Sequence, residues 1–244
     1  MADTANSSRK LKRTGYVTRF TRSQRLEHLV LLVSFLMLAL TGLAQKYYTA
    51  GWAEWLILNM GGIAYTRLIH RVFGAIFTFS AIYHLGFLIY AHLARKAWFS
   101  MLPGAQDFRN VVEEIRYSLG LSSQPPQFGR YDYRQKFEYW GIVFGGTIMI
   151  ITGFVLAFPL TFTSFLPGQF VAACKEAHGN EAMLAVLTIV VWHLYDVMLK
   201  PGIFPADVSI FTGRISWHRQ QKEHPLEHVE YLKAQDDTSA GEKN

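Results

Sequence analysis

Four blocks of the chain are almost free of charge and are separated by polar, mostly basic segments. Leu29 to Ala44 reads LVLLVSFLMLALTGLA. With His28 and the residues after Ala44 it approaches the roughly 20 residues that a bilayer-crossing helix needs. Val72 to His92 contains no Lys, Arg, Asp or Glu, and is preceded by Arg67 and Arg71 and followed by Arg95 and Lys96. Tyr139 to Phe158 is rich in glycine, and Gly141-x-x-x-Gly145 allows close approach of another helix or a flat ligand. Pro159 ends it. Met183 to Leu199 is the fourth block; its first turn reaches back toward His178, and Lys200-Pro201-Gly202 closes it. The pattern predicts an all-α, integral membrane four-helix bundle.

Composition agrees with that pattern. Only 17% of the 244 residues are charged, against about 25% in an average soluble domain. Of the 24 Lys and Arg residues, 20 lie before Glu27, within Leu93 to Lys136, or from Lys200 onward. Positive charge marks cytoplasmic segments. Both termini and the long middle loop are therefore expected inside, and the loops carrying Trp52, Trp55, Pro167 and Gly168 outside. Residues 1–27 form a basic cytoplasmic segment, 28–200 the four-helix domain and 201–244 a cytoplasmic tail whose last residues, AQDDTSAGEKN, read as disordered. The N-terminal segment is too long for a signal peptide and no A-x-A-like cleavage site follows the first block, so a retained anchor is expected. The net charge of +6 comes with no groove-reading motif, which argues against nucleic acid. A single cysteine, Cys174, excludes an internal disulfide, a Cys-rich metal site and c-type haem attachment.

Chemistry enters with histidine. His28, His70, His84, His178 and His193 lie in or at the ends of the apolar blocks, where ionisable groups are costly and usually functional. On an α-helix, His70 and His84 differ by about −40° and roughly 21 Å, and His178 and His193 by about +60° and roughly 22 Å. Each helix thus offers an imidazole near both membrane faces, and two such helices can clamp two stacked porphyrins. Bis-imidazole ligation suits electron transfer over oxygen chemistry. Arg67 and Arg71 flank His70 and can meet haem propionates. The plainer alternative for any one membrane histidine is an interhelical hydrogen bond.

Several short pieces carry a family likeness: Gln24-Arg25-Leu26-Glu27-His28, Leu40-Thr41-Gly42, Arg67-Leu68-Ile69-His70, Tyr131 to Lys136, Ile151-Thr152-Gly153 and His193-Leu194-Tyr195. Together, over roughly residues 19 to 228, the chain resembles the bacterial four-helix di-haem cytochrome b subunits, such as the gamma subunit of membrane-bound formate dehydrogenase and the cytochrome b of nickel-iron hydrogenase. The Phe204-Pro205-Ala206-Asp207 and His224-Pro225-Leu226-Glu227 tail resembles a branch that accompanies multihaem c-type cytochromes.

That resemblance implies two b-type haems. The outer one is expected between His70 and His178, and the inner one between His28 and His193. His84 is a departure: it either replaces His28 as the inner ligand or is a hydrogen-bonding neighbour of the inner haem or quinone. The resemblance also implies a subunit of a respiratory oxidoreductase complex in the bacterial inner membrane. It would pass electrons between quinone or menaquinone and a periplasmic-side redox partner: an iron-sulfur, molybdenum or nickel-iron enzyme, or a multihaem c-type cytochrome. Tyr131, Arg134, Gln135 and Glu138 are candidates for a quinone pocket beside the inner haem, with Asp196 as a proton acceptor. Competing readings are a transporter with a histidine proton relay and a non-redox membrane anchor. The near absence of charged residues in the spans weighs against the transporter.

Overall fold

The computed structural model describes residues 15–95 and 100–241. Its helices and strands, in chain order, are β1 (Tyr16–Thr18), α1 (Arg22–Lys46), α2 (Gly51–Asn59), α3 (Ile63–Arg95), α4 (Ala105–Ser118), α5 (Tyr133–Ala157), α6 (Pro159–Thr163), α7 (Gly168–Leu199), α8 (Ser209–Thr212), β2 (Arg214–Ser216), α9 (Trp217–Glu223) and α10 (Pro225–Gly241). The helices α1, α3, α5 and α7 are long and apolar enough to cross a membrane. Their large side chains point outward, among them Leu36, Phe79, Phe144 and Val191. That is the reverse of a water-soluble bundle and suits contact with lipid.

Where these helices touch, the residues are small. Ser34, Thr41, Ala44 and Thr152 are buried, and backbones approach closely only where side chains are short. α1 packs along α3 and also meets α2 and α7. Gly145 of α5 receives the Glu181 carboxyl group of α7, and Gly146 lies against Phe77 of α3. The glycine-rich face of α5 therefore accepts side chains of its neighbours. The short α2 exposes Trp52 and Trp55, as expected of an aromatic belt at a membrane surface. Gly61 and Gly62, at φ 90° and 95°, turn the chain from α2 into α3 through a conformation that only glycine adopts without cost.

The fourth span differs from its sequence pattern in two ways. It starts at Gly168, directly after Pro167, because Lys175, Glu176 and Glu181 lower the local hydropathy without supplying a helix-breaking residue. Past Leu187 it also changes pitch: Thr188–His193 and Tyr195–Leu199 are π-helix. A π turn holds more residues than an α turn, so each residue rotates the chain by less. With one extra residue held in the first π segment, the +60° offset of a regular helix between His178 and His193 becomes about −40°.

Residues 15–21, 100–139 and 208–241, which include the first turns of α5, make a second compact unit. β1 pairs antiparallel with β2, with Val17 opposite Ile215. Val17, Ile215 and Trp217 form its small apolar core. Trp217 stands edge-on to His228 and Tyr231. Around this core Glu227 bridges two arginines, Arg19 at 2.9 Å and Arg130 at 2.8 Å. Each of those arginines also donates to the backbone carbonyl of the other. Residues 15–21 and the tail are thereby parts of one body. α10 extends to Gly241, so helix takes in most of the stretch read as disordered. It is opened by Pro225, carries Glu227 in its first turn, and meets no breaker before its end. Residues 242–244 lie outside the described part.

Candidate haem-binding sites

The spans bring the histidines together in two pairs. His70 of α3 faces His178 of α7 with ring centres 6.3 Å apart and planes at 70°. His28 of α1 faces His193 of α7 with ring centres 6.4 Å apart and planes at 36°. Imidazole nitrogens bind first-row metal ions at about 2.0–2.1 Å, and each stands about 1.1 Å from its ring centre, so two imidazoles across one iron place their centres about 6.3 Å apart. Both pairs fit a single bridging iron. Among the described residues no three His, Cys, Asp or Glu side chains gather as ligands for a bare metal ion. Two protein ligands suffice only when a macrocycle supplies the rest.

The first pair is held by a device that occurs twice. Thr41 Oγ1 donates to the Met37 carbonyl at 2.6 Å and lies 2.8 Å from His70 Nδ1. Thr152 Oγ1 donates to the Ile148 carbonyl at 2.6 Å and lies 2.9 Å from His178 Nδ1. With the hydroxyl proton committed to a carbonyl, the oxygen accepts from Nδ1–H. Each ring is thereby fixed in the tautomer whose Nε2 carries a lone pair for a metal. The next residue in each helix is glycine. A Cβ at Gly42 would lie 3.1 Å from His70 Cε1, and one at Gly153 would lie 3.2 Å from His178 Cε1. Thr-Gly thus forms a hydroxyl hook beside a flat backbone seat. The sequence displayed this as Leu40-Thr41-Gly42 and Ile151-Thr152-Gly153, two apolar-Thr-Gly repeats whose role is visible only once the helices are packed.

His84 has a different neighbour. Its Nδ1 is 2.7 Å from Glu27 Oε2, while Ser23 Oγ donates to Glu27 Oε1 at 2.9 Å and lies 3.4 Å from the Tyr83 hydroxyl. Arg67 and Arg71 are exposed. Tyr131, Arg134 and Gln135 belong to the second compact unit, where they build the entrance to α5. Asp132 accepts from Arg134 at 2.9 Å and from the Gln135 amide at 2.9 Å, and Gln135 Oε1 accepts in return from the Asp132 amide. This is a reciprocal cap on the helix start. Tyr131 lies under the Arg19 and Arg130 guanidinium groups. Glu138 follows in the second turn of α5, and Asp196 sits half-buried in the π-helical part of α7.

Two pairs of imidazoles in a chain with four spans define a membrane cytochrome b. Comparison with known proteins places the chain further. The family model for prokaryotic cytochrome b561 matches residues 7–104 and 106–212, and the chain belongs to that family. It is 22% identical over 230 residues to the cytochrome b556(Fdn) subunit of the nitrate-inducible formate dehydrogenase of Escherichia coli K12, covering 94% of this chain and 95% of the relative. It is 22% identical over 220 residues to the cytochrome b556(fdo) subunit of an E. coli K12 formate dehydrogenase, covering 88% and 93%. It is also 23% identical over 209 residues to the formate dehydrogenase cytochrome b556 subunit of Haemophilus influenzae, covering 86% and 81%. The protein is a multi-pass membrane cytochrome b that binds b-type haem and carries electrons.

Proposed function

We propose that the protein holds two b-type haems, an outer one between His70 and His178 and an inner one between His28 and His193, and passes electrons across the inner membrane between quinone and a redox partner subunit docked at the periplasmic face. The observation that carries this reading is the matched spacing of the two pairs, 6.3 and 6.4 Å. Haem held by these imidazole pairs would supply a one-electron couple, chemistry suited to electron transfer.

The protein's own residues do the remaining work. Thr41 and Thr152 orient the outer imidazoles, and Gly42 and Gly153 leave room for the rings. Arg67 and Arg71, exposed beside His70, would balance propionate charge at that face. The apolar span surfaces keep water from both sites. Quinone is proposed to react on the inner side, where His84, held by Glu27, and Asp196 can exchange protons with it. Similarity to formate dehydrogenase subunits supports an oxidoreductase partner, of the iron-sulfur and molybdenum type or one of the nickel-iron or multihaem c-type alternatives. A proton transporter or an inert anchor has no use for two imidazole pairs, one of them hooked by a threonine on each ring.

The test is haem stoichiometry by pyridine haemochrome on the purified chain. Two haems per chain, extractable by acidic acetone because no thioether forms, are expected. One haem or none overturns the reading.

A further inference from the structure

The helix α4, in the segment joining the second and third spans, wears its amphipathicity inside out. At 100° per residue, Phe108, Val112, Ile115 and Leu119 fall within an arc of about 60°. Their exposures are 73%, 56%, 54% and 68%. Away from the stripe Asn110 is 6% exposed and Asp107 accepts from Lys136 at 2.9 Å and 3.0 Å, while Gln106, Glu113 and Tyr117 are exposed. In a water-soluble domain the apolar stripe would be the buried one. Here Asn110 and Asp107 fasten the helix to the body of the unit and the apolar stripe is left uncovered.

We propose that this stripe is a membrane-surface anchor, with α4 lying in the plane of the cytoplasmic leaflet and Phe108, Val112, Ile115 and Leu119 sunk among phospholipid acyl chains. Connectivity names the occupant. α4 begins ten residues after α3 ends at Arg95, a reach of at most about 35 Å. Its Asp107 is bound to Lys136 in the first turn of α5, and α5 is itself a span. The helix is therefore tethered on both sides to helices that enter the bilayer. Charge placement agrees with it. Arg109 and Arg116 are both exposed and lie on one flank of the stripe, about 80–100° from Phe108. From there a long side chain can lay its stem along the apolar surface and bring its guanidinium to an anionic headgroup. Leu121, 68% exposed just past the helix, prolongs the apolar edge.

The experiment uses the full chain in proteoliposomes of phosphatidylethanolamine and phosphatidylglycerol, with Cys174, itself buried, replaced by serine. A nitroxide label is placed in turn at Phe108→Cys, Val112→Cys, Ile115→Cys and Glu113→Cys. Collision with oxygen, which concentrates in lipid, is compared with collision with a water-soluble nickel chelate. Labels at 108, 112 and 115 should show a several-fold higher oxygen-to-nickel ratio than the label at 113. Arg109→Gln with Arg116→Gln should lower that ratio. Equal ratios at all four positions overturn the proposal, because the stripe would then face water. Shielding of 108, 112 and 115 from both reagents overturns it too, because a protein would then cover the stripe. Haem absorbance serves as the folding control, since α4 contributes no histidine, and Val112→Cys with Ile115→Cys decides the matter if Phe108→Cys does not fold.

Discussion

The hydroxyl oxygen of Thr152 lies 2.9 Å from Nδ1 of His178, and its own hydrogen goes to a carbonyl of its helix at 2.6 Å. A side chain of α5 therefore sets the protonation of a ring on α7. Thr41 does the same to His70 from α1. Replacing either threonine by valine keeps the shape and removes the hydroxyl acceptor, leaving the ring only a backbone carbonyl, that of Leu38 for His70 and of Met149 for His178. Partners of metal-bound histidines typically account for about 10–100-fold in affinity, and a loss of that order is expected for the outer haem in Thr152→Val, measured by haem titration of the apoprotein. Unchanged affinity would reduce the hook to packing.

The glycine seats predict a graded response. A methyl group at Gly153 would lie 3.2 Å from His178 Cε1, so the ring must give by a few tenths of an ångström. Gly153→Ala should weaken the outer haem, and Gly153→Val should expel it while the inner haem remains. Low-spin absorbance and haem content of the two variants check this. Equal occupancy in both would mean that the ring has slack to move.

His28 and His84 are separated by a single comparison. His28 stands 6.4 Å from His193, whereas His84 is 2.7 Å from a carboxylate. His28→Ala should reduce haem content from two to one, and His84→Ala should retain both and slow quinone reaction. Pyridine haemochrome and stopped-flow reduction by a quinol analogue read the two effects, and the reverse assignment would follow from loss of haem in His84→Ala alone.

The unit outside the spans should soften in mild acid. His224 is buried and donates from Nδ1 to the Gly129 carbonyl at 2.8 Å. Burial pushes its pKa below the ordinary 6.5, Arg19 adds to that, and the Gly129 carbonyl, Glu227 and Glu223 oppose it. The unfolded chain thus binds the proton more readily than the folded one. The contribution to stability is complete above pH 6.5 and shrinks as the pH falls from there toward the folded value. Hydrogen exchange of the amides of β1 and β2, corrected for intrinsic rate, should show protection falling below pH 6.5. A flat profile would mean that His224 is protonated equally in both states.

Reporter fusions test the orientation. Those after Trp55 and Pro167 should read periplasmic, and those after Asp107 and in the tail cytoplasmic, following the distribution of Lys and Arg. Opposite readings at the two ends of the chain would require an odd number of crossings.

The spans were legible because lipid demands long charge-free runs, and His84 and His193 were conspicuous as imidazoles within such runs, whereas His28, His70 and His178 stand at the runs' ends. The early start of α7 was not, since Lys175, Glu176 and Glu181 depress hydropathy without affecting backbone hydrogen bonds. The union of the terminal segments was hidden for another reason. β1 and β2 are three residues each and meet across most of the chain, and Arg19 meets Glu227 at a separation of 208 residues. No local pattern encodes such pairings. The threonine hooks were visible only as repeated letters, because their meaning depends on which helix lies opposite.

The wide turns beyond Leu187 bear on how such a chain can change over time. In an ordinary helix, inserting or deleting one residue swings everything beyond it by about 100°, which would carry a ligand off its site. A π segment stores one such residue as a bulge and can release it by reverting to α-helical pitch. The stretch up to His193 is thus a built-in tolerance for length, letting α7 lose a residue while both of its histidines keep their stations.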